Sequence, residues 1–140
     1  MLLKFDFNSQ YSVTIEENSQ TVYAYYICDG EMTGDLWLLN LSSNNNIKWE
    51  SVEDLPFLNK ESYIDLSQHE KIKNGFDIHN LRIEWKIMEN PSEAPVALIF
   101  YLKFLIGKLR EGDKPGFSSL VIRDGPLANC LSSIGNKGFD

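Results

Sequence analysis

The chain has 140 residues, of which 43% are hydrophobic and 12% aromatic, and it carries a formal net charge of −7. This length and apolar content fit one globular domain over residues 1–140 with an ordinary packed core, and they exclude global disorder. The net charge disfavours nucleic acid and anionic membranes as partners, because both repel an anionic surface.

Three strands are predicted in the first part of the chain. Residues 11–17 alternate between apolar and polar side chains, which is typical of a half-buried strand. Residues 21–28 are apolar on both sides and indicate a central strand, and residues 33–41 supply its partner. Asp29 and Gly30 predict a tight hairpin turn, because Gly tolerates a positive φ. The expected result is an antiparallel meander.

The middle of the chain is less regular. Residues 59–66 are expected to form a short helix capped at Asn59. Residues 81–88 alternate as a strand with one solvated face. Residues 96–109 have the length of a helix, but their nearly all-round apolar character favours two strands that fold back near Leu102.

A terminal helix is predicted over residues 126–133, because Asp124 lies just before Pro126 as a capping residue would. With the strands above, this predicts an α+β fold, mainly an antiparallel β-sheet of about six strands with one or two short helices.

The candidates for catalysis are few. His69 and His79 are interpreted as surface or strand-edge residues, and Cys28 and Cys130 as two buried thiols in a reducing compartment. The sequence contains no zinc motif, no phosphate-binding glycine loop and no nucleophile-elbow motif. We therefore expect no cofactor, no metal site and no enzymatic activity.

Two further stretches bear on partners and location. Five basic residues near the end of the chain are diluted by acidic neighbours and are interpreted as a solvated face rather than a nucleic-acid site: Lys103, Lys108, Arg110, Lys114 and Arg123. The first residues show no signal peptide, and the apolar stretch 96–109 is too short to cross a bilayer. These observations favour a cytoplasmic protein with no membrane partner.

The negative charge is concentrated in the first half of the chain. Residues 1–65 contain eleven acidic and three basic side chains, a net charge of −8, whereas residues 66–140 have a net charge of +1. The irregular middle of the chain interleaves carboxylates with large aromatic side chains, as protein interfaces do. The predicted partner-binding residues are Trp49, Glu50, Glu53, Asp54, Glu61, Tyr63 and Asp65. Alternatively, these aromatic residues only attach an irregular segment to the sheet.

Three segments resemble those of small bacterial immunity proteins, the cytoplasmic antidotes of polymorphic and contact-dependent growth-inhibition toxins. They are Cys28-Asp-Gly-Glu-Met-Thr-Gly-Asp-Leu-Trp37, Lys114-Pro-Gly-Phe-Ser118 and Arg123-Asp-Gly-Pro-Leu127. The resemblance implies a non-enzymatic inhibitor that binds a basic toxin domain, such as a nuclease, and occludes its active site. The net charge of −8 in the first half suits such a partner.

Other functions remain open at this stage. A small enzyme would need a deep pocket in which His69 or His79 has a close acidic neighbour. A homodimeric structural or assembly subunit would close through residues 96–109. A peptide-binding or sugar-binding module would show a groove lined by aromatic side chains.

Overall fold

The computed structural model describes residues 1–41, 63–90 and 92–131. In these ranges, nine β-strands and one α-helix follow each other in the order β1 (Leu2–Asp6), β2 (Tyr11–Glu17), β3 (Thr21–Cys28), β4 (Glu31–Asn40), α1 (Leu66–Lys73), β5 (Leu81–Lys86), β6 (Val96–Tyr101), β7 (Phe104–Leu109), β8 (Phe117–Ser118) and β9 (Asn129–Cys130). A 3-10 turn, Ile78–Asn80, leads into β5. The predicted α+β class with mainly antiparallel sheet is confirmed. The strands are more numerous than the six expected, because β1 and the two-residue strands β8 and β9 were not predicted.

The first sheet is the predicted meander with one strand added. Its strands are arranged in the order β1-β2-β3-β4, and every neighbouring pair is antiparallel. Strands β2 and β3 have the predicted bounds. In the turn between β3 and β4, Asp29 has a φ of 53° and Gly30 a φ of 82°. Two successive positive φ angles match the right-handed twist of a hairpin, so the predicted tight turn is confirmed.

The second sheet has the order β5-β6-β7-β8-β9 and is antiparallel except for the parallel pair β8 and β9. Residues 96–109 form the hairpin of β6 and β7, so the two-strand interpretation of this stretch is confirmed. The turn lies at Leu102, which has a φ of 55° and donates its backbone N–H to Asn80 O at 3.1 Å.

The two sheets share one hydrophobic core. The buried apolar side chains of β2, β3 and β4 belong to the same cluster as those of β6 and β7. At the closest approach, a Cβ added to Gly107 would lie 2.9 Å from Leu36 Cδ2 and 3.3 Å from Leu38 Cδ2. The missing side chain at Gly107 therefore lets β7 pack directly against β4.

The edge of β4 is covered by segments of the second half of the chain. Asp35 N–H donates to Asp113 O at 2.9 Å, and Gly116 N–H donates to Asp35 O at 2.8 Å. Farther along the same edge, Trp37 N–H donates to Leu127 O at 3.0 Å. These bonds join the two halves of the chain through the backbone.

An α-helix begins at the position where the predicted middle helix was expected to end. The prediction covered residues 59–66, whereas α1 begins at Leu66, and Asp65 is its N-cap. The Asp65 carboxylate accepts a hydrogen bond from Gln68 N–H at 3.2 Å, which satisfies one of the free donors of the first turn. Residues 59–62 lie outside the described ranges.

The terminal helix predicted over residues 126–133 is wrong for the described part of that range, which ends at residue 131. The chain there contains bends and the two-residue strand β9, which pairs in parallel with β8. The Asp124 carboxylate does not cap a helix but accepts a hydrogen bond from Cys130 N–H at 2.7 Å. The local Asp-Gly-Pro signal is overridden because this segment supplies backbone partners to β4 and β8.

Candidate functional site

Five of the seven predicted partner-binding residues lie outside the described ranges. They are Trp49, Glu50, Glu53, Asp54 and Glu61. Tyr63 and Asp65 lie within them, at the start of the second described range. The interface assigned to these seven residues stays a prediction.

Tyr63 is half-buried against the segment that follows β8. The Arg123 guanidinium carbon lies 4.9 Å from the centroid of the Tyr63 ring, within the range of a cation–π contact. A Cβ added to Gly125 would lie only 2.6 Å from the same ring. The Tyr63 carbonyl accepts a hydrogen bond from Ile122 N–H at 2.8 Å. These contacts attach residue 63 to the second sheet.

The acidic side chains of residues 1–41 are divided between two ends and one face of the first sheet. Asp6, Asp29 and Glu31 lie at the end that carries the turn between β3 and β4, whereas Glu16 and Glu17 lie at the opposite end. Asp35 lies between them on β4. The negative half of the sequence is therefore not a single patch within this range.

A cleft of about 670 Å³ opens beside the turn end of the first sheet. It is formed by the starts and ends of strands from both sheets and by the connections that precede β6 and follow β7. Its polar and charged lining includes Tyr11, Cys28, Glu93, Arg110, Glu111 and Asp113. We call this the acidic cleft, since three of these six residues are carboxylates and one is a cation.

The cation of the acidic cleft is already paired. Arg110 Nε lies 3.1 Å from Asp113 Oδ2, and Arg110 Nη2 lies 3.2 Å from Asp113 Oδ1. The guanidinium carbon also lies 5.3 Å from the centroid of the Phe117 ring. Such a bidentate pair leaves Glu93 and Glu111 as the uncompensated charges of the cleft, since neither forms an ion pair with another described residue.

The Cys28 thiol lies in the lining of this cleft, near several carboxylates. Burial raises its pKa, and the carboxylates of Asp29, Glu111 and Glu31 raise it further. These carboxylates come from the β3–β4 turn and from the segment after β7, so both halves of the chain contribute. The prediction that both cysteines are buried is correct for Cys130 and wrong for Cys28, which is partly exposed. A thiol with a raised pKa is a poor nucleophile at neutral pH.

A second surface combines tyrosines and carboxylates on the solvent side of the first sheet. Tyr23 and Tyr25 stack with ring centroids 6.1 Å apart, and Tyr25 Oη donates to Glu16 Oε1 at 3.1 Å. Asp35 lies across from Tyr25 in the strand register. We call Glu16, Tyr23, Tyr25 and Asp35 the tyrosine face.

The charges of the tyrosine face are partly desolvated. Burial raises the pKa of Tyr25 to about 12, and the nearby Glu16 carboxylate contributes to the shift. Burial also raises the pKa of Asp35, while the Lys114 ammonium partly offsets it. Tyrosine is enriched among the residues that carry most of the binding energy at protein interfaces.

His69 occupies the interior, so its interpretation as a solvated residue is wrong. Its side chain is 4% exposed and stacks on the buried Trp37 ring, with centroids 5.9 Å apart. Its Nε2 accepts the backbone N–H of Asn40 at 3.1 Å. The N-cap at Asp65 fixes α1 so that position 69 faces β4, and this orientation explains the burial. His79 is exposed, as predicted, and lies 3.0 Å from Asp77 Oδ1.

The basic residues interpreted as a solvated face do not all reach solvent. Lys103, Lys114 and Arg123 are exposed, whereas Lys108 is buried with 6% exposure. Lys108 lies in β7 between the buried residues Gly107 and Leu109, so its backbone is part of the packed second sheet.

The acidic cleft was missed because its members are distant in sequence. Glu93 belongs to the loop after β5, and Glu111 belongs to the turn after β7. Each was visible only as an ordinary charged loop residue. The one local signal was that all of these carboxylates lie in turns, where functional side chains of β proteins are often placed.

Comparisons with protein family models, with curated proteins and with solved structures find no match to this chain. In the part of the chain that the structure describes, no helix has both the length and the apolar character needed to cross a membrane. Over the same ranges, no three His, Cys, Asp or Glu side chains are grouped closely enough to hold a metal ion.

Proposed function

We propose that this chain is an acidic protein-binding module, and that it acts as an immunity protein which neutralises a basic toxin domain by occluding its active site. The observation that carries the proposal is the acidic cleft. It is a concave surface in which neither Glu93 nor Glu111 forms an ion pair with another described residue, while the neighbouring cation, Arg110, is held by Asp113. A Lys or Arg side chain of a partner would complete the charge balance of this cleft.

Occlusion requires no chemistry from the chain itself. A toxin that acts on nucleic acid holds the substrate phosphates with basic side chains. If those side chains are seated between Glu93 and Glu111, they no longer reach the substrate. The acidic cleft is lined by neither histidine, so it differs from the pocket expected of a small His-dependent enzyme.

The proposal keeps the predicted interface of Trp49, Glu50, Glu53, Asp54, Glu61, Tyr63 and Asp65 as a further contact area. An interface of standard size buries about 800 Å² on each partner, which is more than a single cleft offers. In this scheme, carboxylates attract the basic partner and aromatic side chains hold it.

The test begins with the neighbouring gene. An immunity protein is expected beside a gene for a large secreted protein with a variable C-terminal domain. That domain should arrest growth when it is expressed alone, and co-expression of this chain should restore growth. A metabolic operon at this place, or growth arrest that this chain does not relieve, would count against the proposal.

The contribution of the cleft is measured by the affinity for that domain at several ionic strengths. Glu111→Gln should weaken binding by about tenfold and reduce the salt dependence of the association rate. Glu17→Gln is the matched control, since it removes the same charge at the opposite end of the first sheet. Equal effects of the two substitutions would contradict the assignment to the acidic cleft.

A further inference from the structure

Strand β1 is an outer strand of the first sheet, and among the described residues no other strand pairs with its outer edge. Glu17 N–H donates to Met1 O at 2.9 Å, and Phe7 N–H donates to Tyr11 O at 2.9 Å. Bonded pairs of an antiparallel ladder alternate with non-bonded pairs, so the odd-numbered residues of β1 bond to β2. The backbone N–H and C=O groups of Leu2, Lys4 and Asp6 therefore point away from the sheet.

The two edges of this sheet differ in whether other described segments cover them. The edge of β4 is covered by the segments around Asp113 and Leu127, whereas β1 is the last strand on its side in the described structure. The outward residues of β1 are also exposed through their side chains, with 66% for Lys4 and 62% for Asp6. An edge of this kind presents a template for another strand.

The side chains on this edge are complementary to themselves. Lys4 Nζ and Asp6 Oδ1 lie 3.6 Å apart on one strand. Such an exposed ion pair contributes little to folding stability and leaves both charged groups accessible to a partner. In an antiparallel pair of two β1 strands, outward residues must face outward residues. With the two-fold axis at Phe5, Lys4 of each copy lies opposite Asp6 of the other. Moving the axis by one residue places Lys4 opposite Lys4, or Asp6 opposite Asp6.

We propose that this chain forms a two-fold homodimer through antiparallel pairing of β1 with β1 of a second copy, centred on Phe5. The pairing joins two four-stranded sheets edge to edge and bonds the outward backbone groups of Lys4 and Asp6. Alternating charge along the edge selects this register, because like charges directly opposite each other destabilise the neighbouring registers.

The experiment reverses or exchanges the charges at positions 4 and 6 of the full-length protein. Analytical ultracentrifugation over a wide concentration range should show that the unmodified protein self-associates. Lys4→Glu places two carboxylates on each edge, and Asp6→Lys places two ammonium groups there. Each variant alone should dimerise about tenfold more weakly, since two attractive cross-strand contacts become repulsive. The double variant Lys4→Glu/Asp6→Lys restores complementarity and should dimerise like the unmodified protein.

Mixing the two single variants gives the sharpest result. A Lys4→Glu copy opposite an Asp6→Lys copy has opposite charges at both contacts, so the mixture should form heterodimers, which native mass spectrometry separates by mass. Arg82→Glu is the matched control, because it reverses an exposed charge on β5, the edge strand of the second sheet. Circular dichroism verifies that each variant is folded.

Three results would overturn the proposal. The unmodified protein could remain a monomer at every concentration, or the mixture could fail to associate. A dimer that Arg82→Glu disrupts, and that neither Lys4→Glu nor Asp6→Lys alone weakens, would place the interface on β5.

Discussion

His69 is predicted to stabilise the fold through a neutral imidazole. Its Nε2 accepts the backbone N–H of Asn40, so the proton of the neutral ring resides on Nδ1, which lies 3.2 Å from Glu70 Oε2. Asn40 is itself only 4% exposed, and its side-chain oxygen accepts a hydrogen bond from Trp37 Nε1 at 2.7 Å. Removal of the imidazole therefore leaves a buried backbone donor without its acceptor.

The cost of that loss follows from the geometry. An unsatisfied buried donor destabilises a fold by about 1–3 kcal/mol. His69→Leu retains the apolar contact with Trp37 but removes the acceptor, so we expect a loss of this size in urea unfolding at pH 7.5. For a chain of this length, it corresponds to a fall in Tm of roughly 3–10 °C.

The same residue gives the stability a dependence on pH. Burial lowers the pKa of His69 below its usual 6.5, although the Glu70 carboxylate opposes this shift. The unfolded chain thus takes up a proton near pH 6.5, while the folded chain does so only at lower pH. The contribution of His69 is complete above pH 6.5, and it is lost as the pH falls from there towards the folded pKa.

The assay compares the free energy of unfolding at pH 7.5 and at several lower values for the unmodified protein, His69→Leu and His69→Gln. Glutamine can accept a hydrogen bond but does not titrate, so His69→Gln should be the more stable variant at pH 7.5. Both variants should lose less stability than the unmodified protein as the pH falls below 6.5. Identical pH profiles for all three proteins would refute this role of the imidazole.

Substitutions at three further positions test the contacts and turns that hold the elements in place. Gly34→Ala places a Cβ 2.9 Å from the carbonyl oxygens of both Arg110 and Asp113, and should cost about 1–3 kcal/mol in urea unfolding; an unchanged midpoint would contradict this close approach. Asp65→Ala removes the N-cap of α1 and should cost about 0.5–2 kcal/mol, whereas Asp65→Asn should retain most of the stability. Gly30→Ala forces alanine to a φ of 82° in the β3–β4 turn and should cost about 1 kcal/mol by thermal unfolding; no loss of Tm would argue against this turn geometry.

The elements that could be predicted are those fixed by neighbouring residues. The alternation over Tyr11–Glu17 and the Asp29-Gly30 turn each act within a few positions, and both appear in the structure as expected. Strand β1 carried a similar signal, because the apolar residues Leu3 and Phe5 alternate with the charged residues Lys4 and Asp6. Its alternation is short, however, and it became a strand because β2 pairs with it.

The elements that could not be predicted depend on distant partners. Asp124 and Pro126 carry a helix-start signal, yet the described residues that follow bond to Trp37 and to β8 and form no helix. A two-residue parallel strand such as β9 has no signature in its own sequence. His69 lies among polar neighbours in the sequence, and it is buried because α1 packs it against Trp37 and Asn40 of β4.

The distribution of charge along the sequence likewise did not predict where the charged side chains lie in the structure. The sequence half with a net charge of −8 suggested one anionic surface, but in the structure Asp6 contacts Lys4, Asp35 lies near Lys114 and Asp65 caps a helix. Because screening confines a charge to its neighbourhood, a bound partner responds to the local carboxylates and not to the total for the sequence. Glu93 and Glu111 belong to the nearly neutral half. Because they lie together in the acidic cleft, a cationic side chain of a partner should nevertheless bind most strongly near these two carboxylates. The salt dependence of binding should therefore depend on these two residues more than on Glu16 and Glu17, which belong to the acidic half but lie at the opposite end of the first sheet.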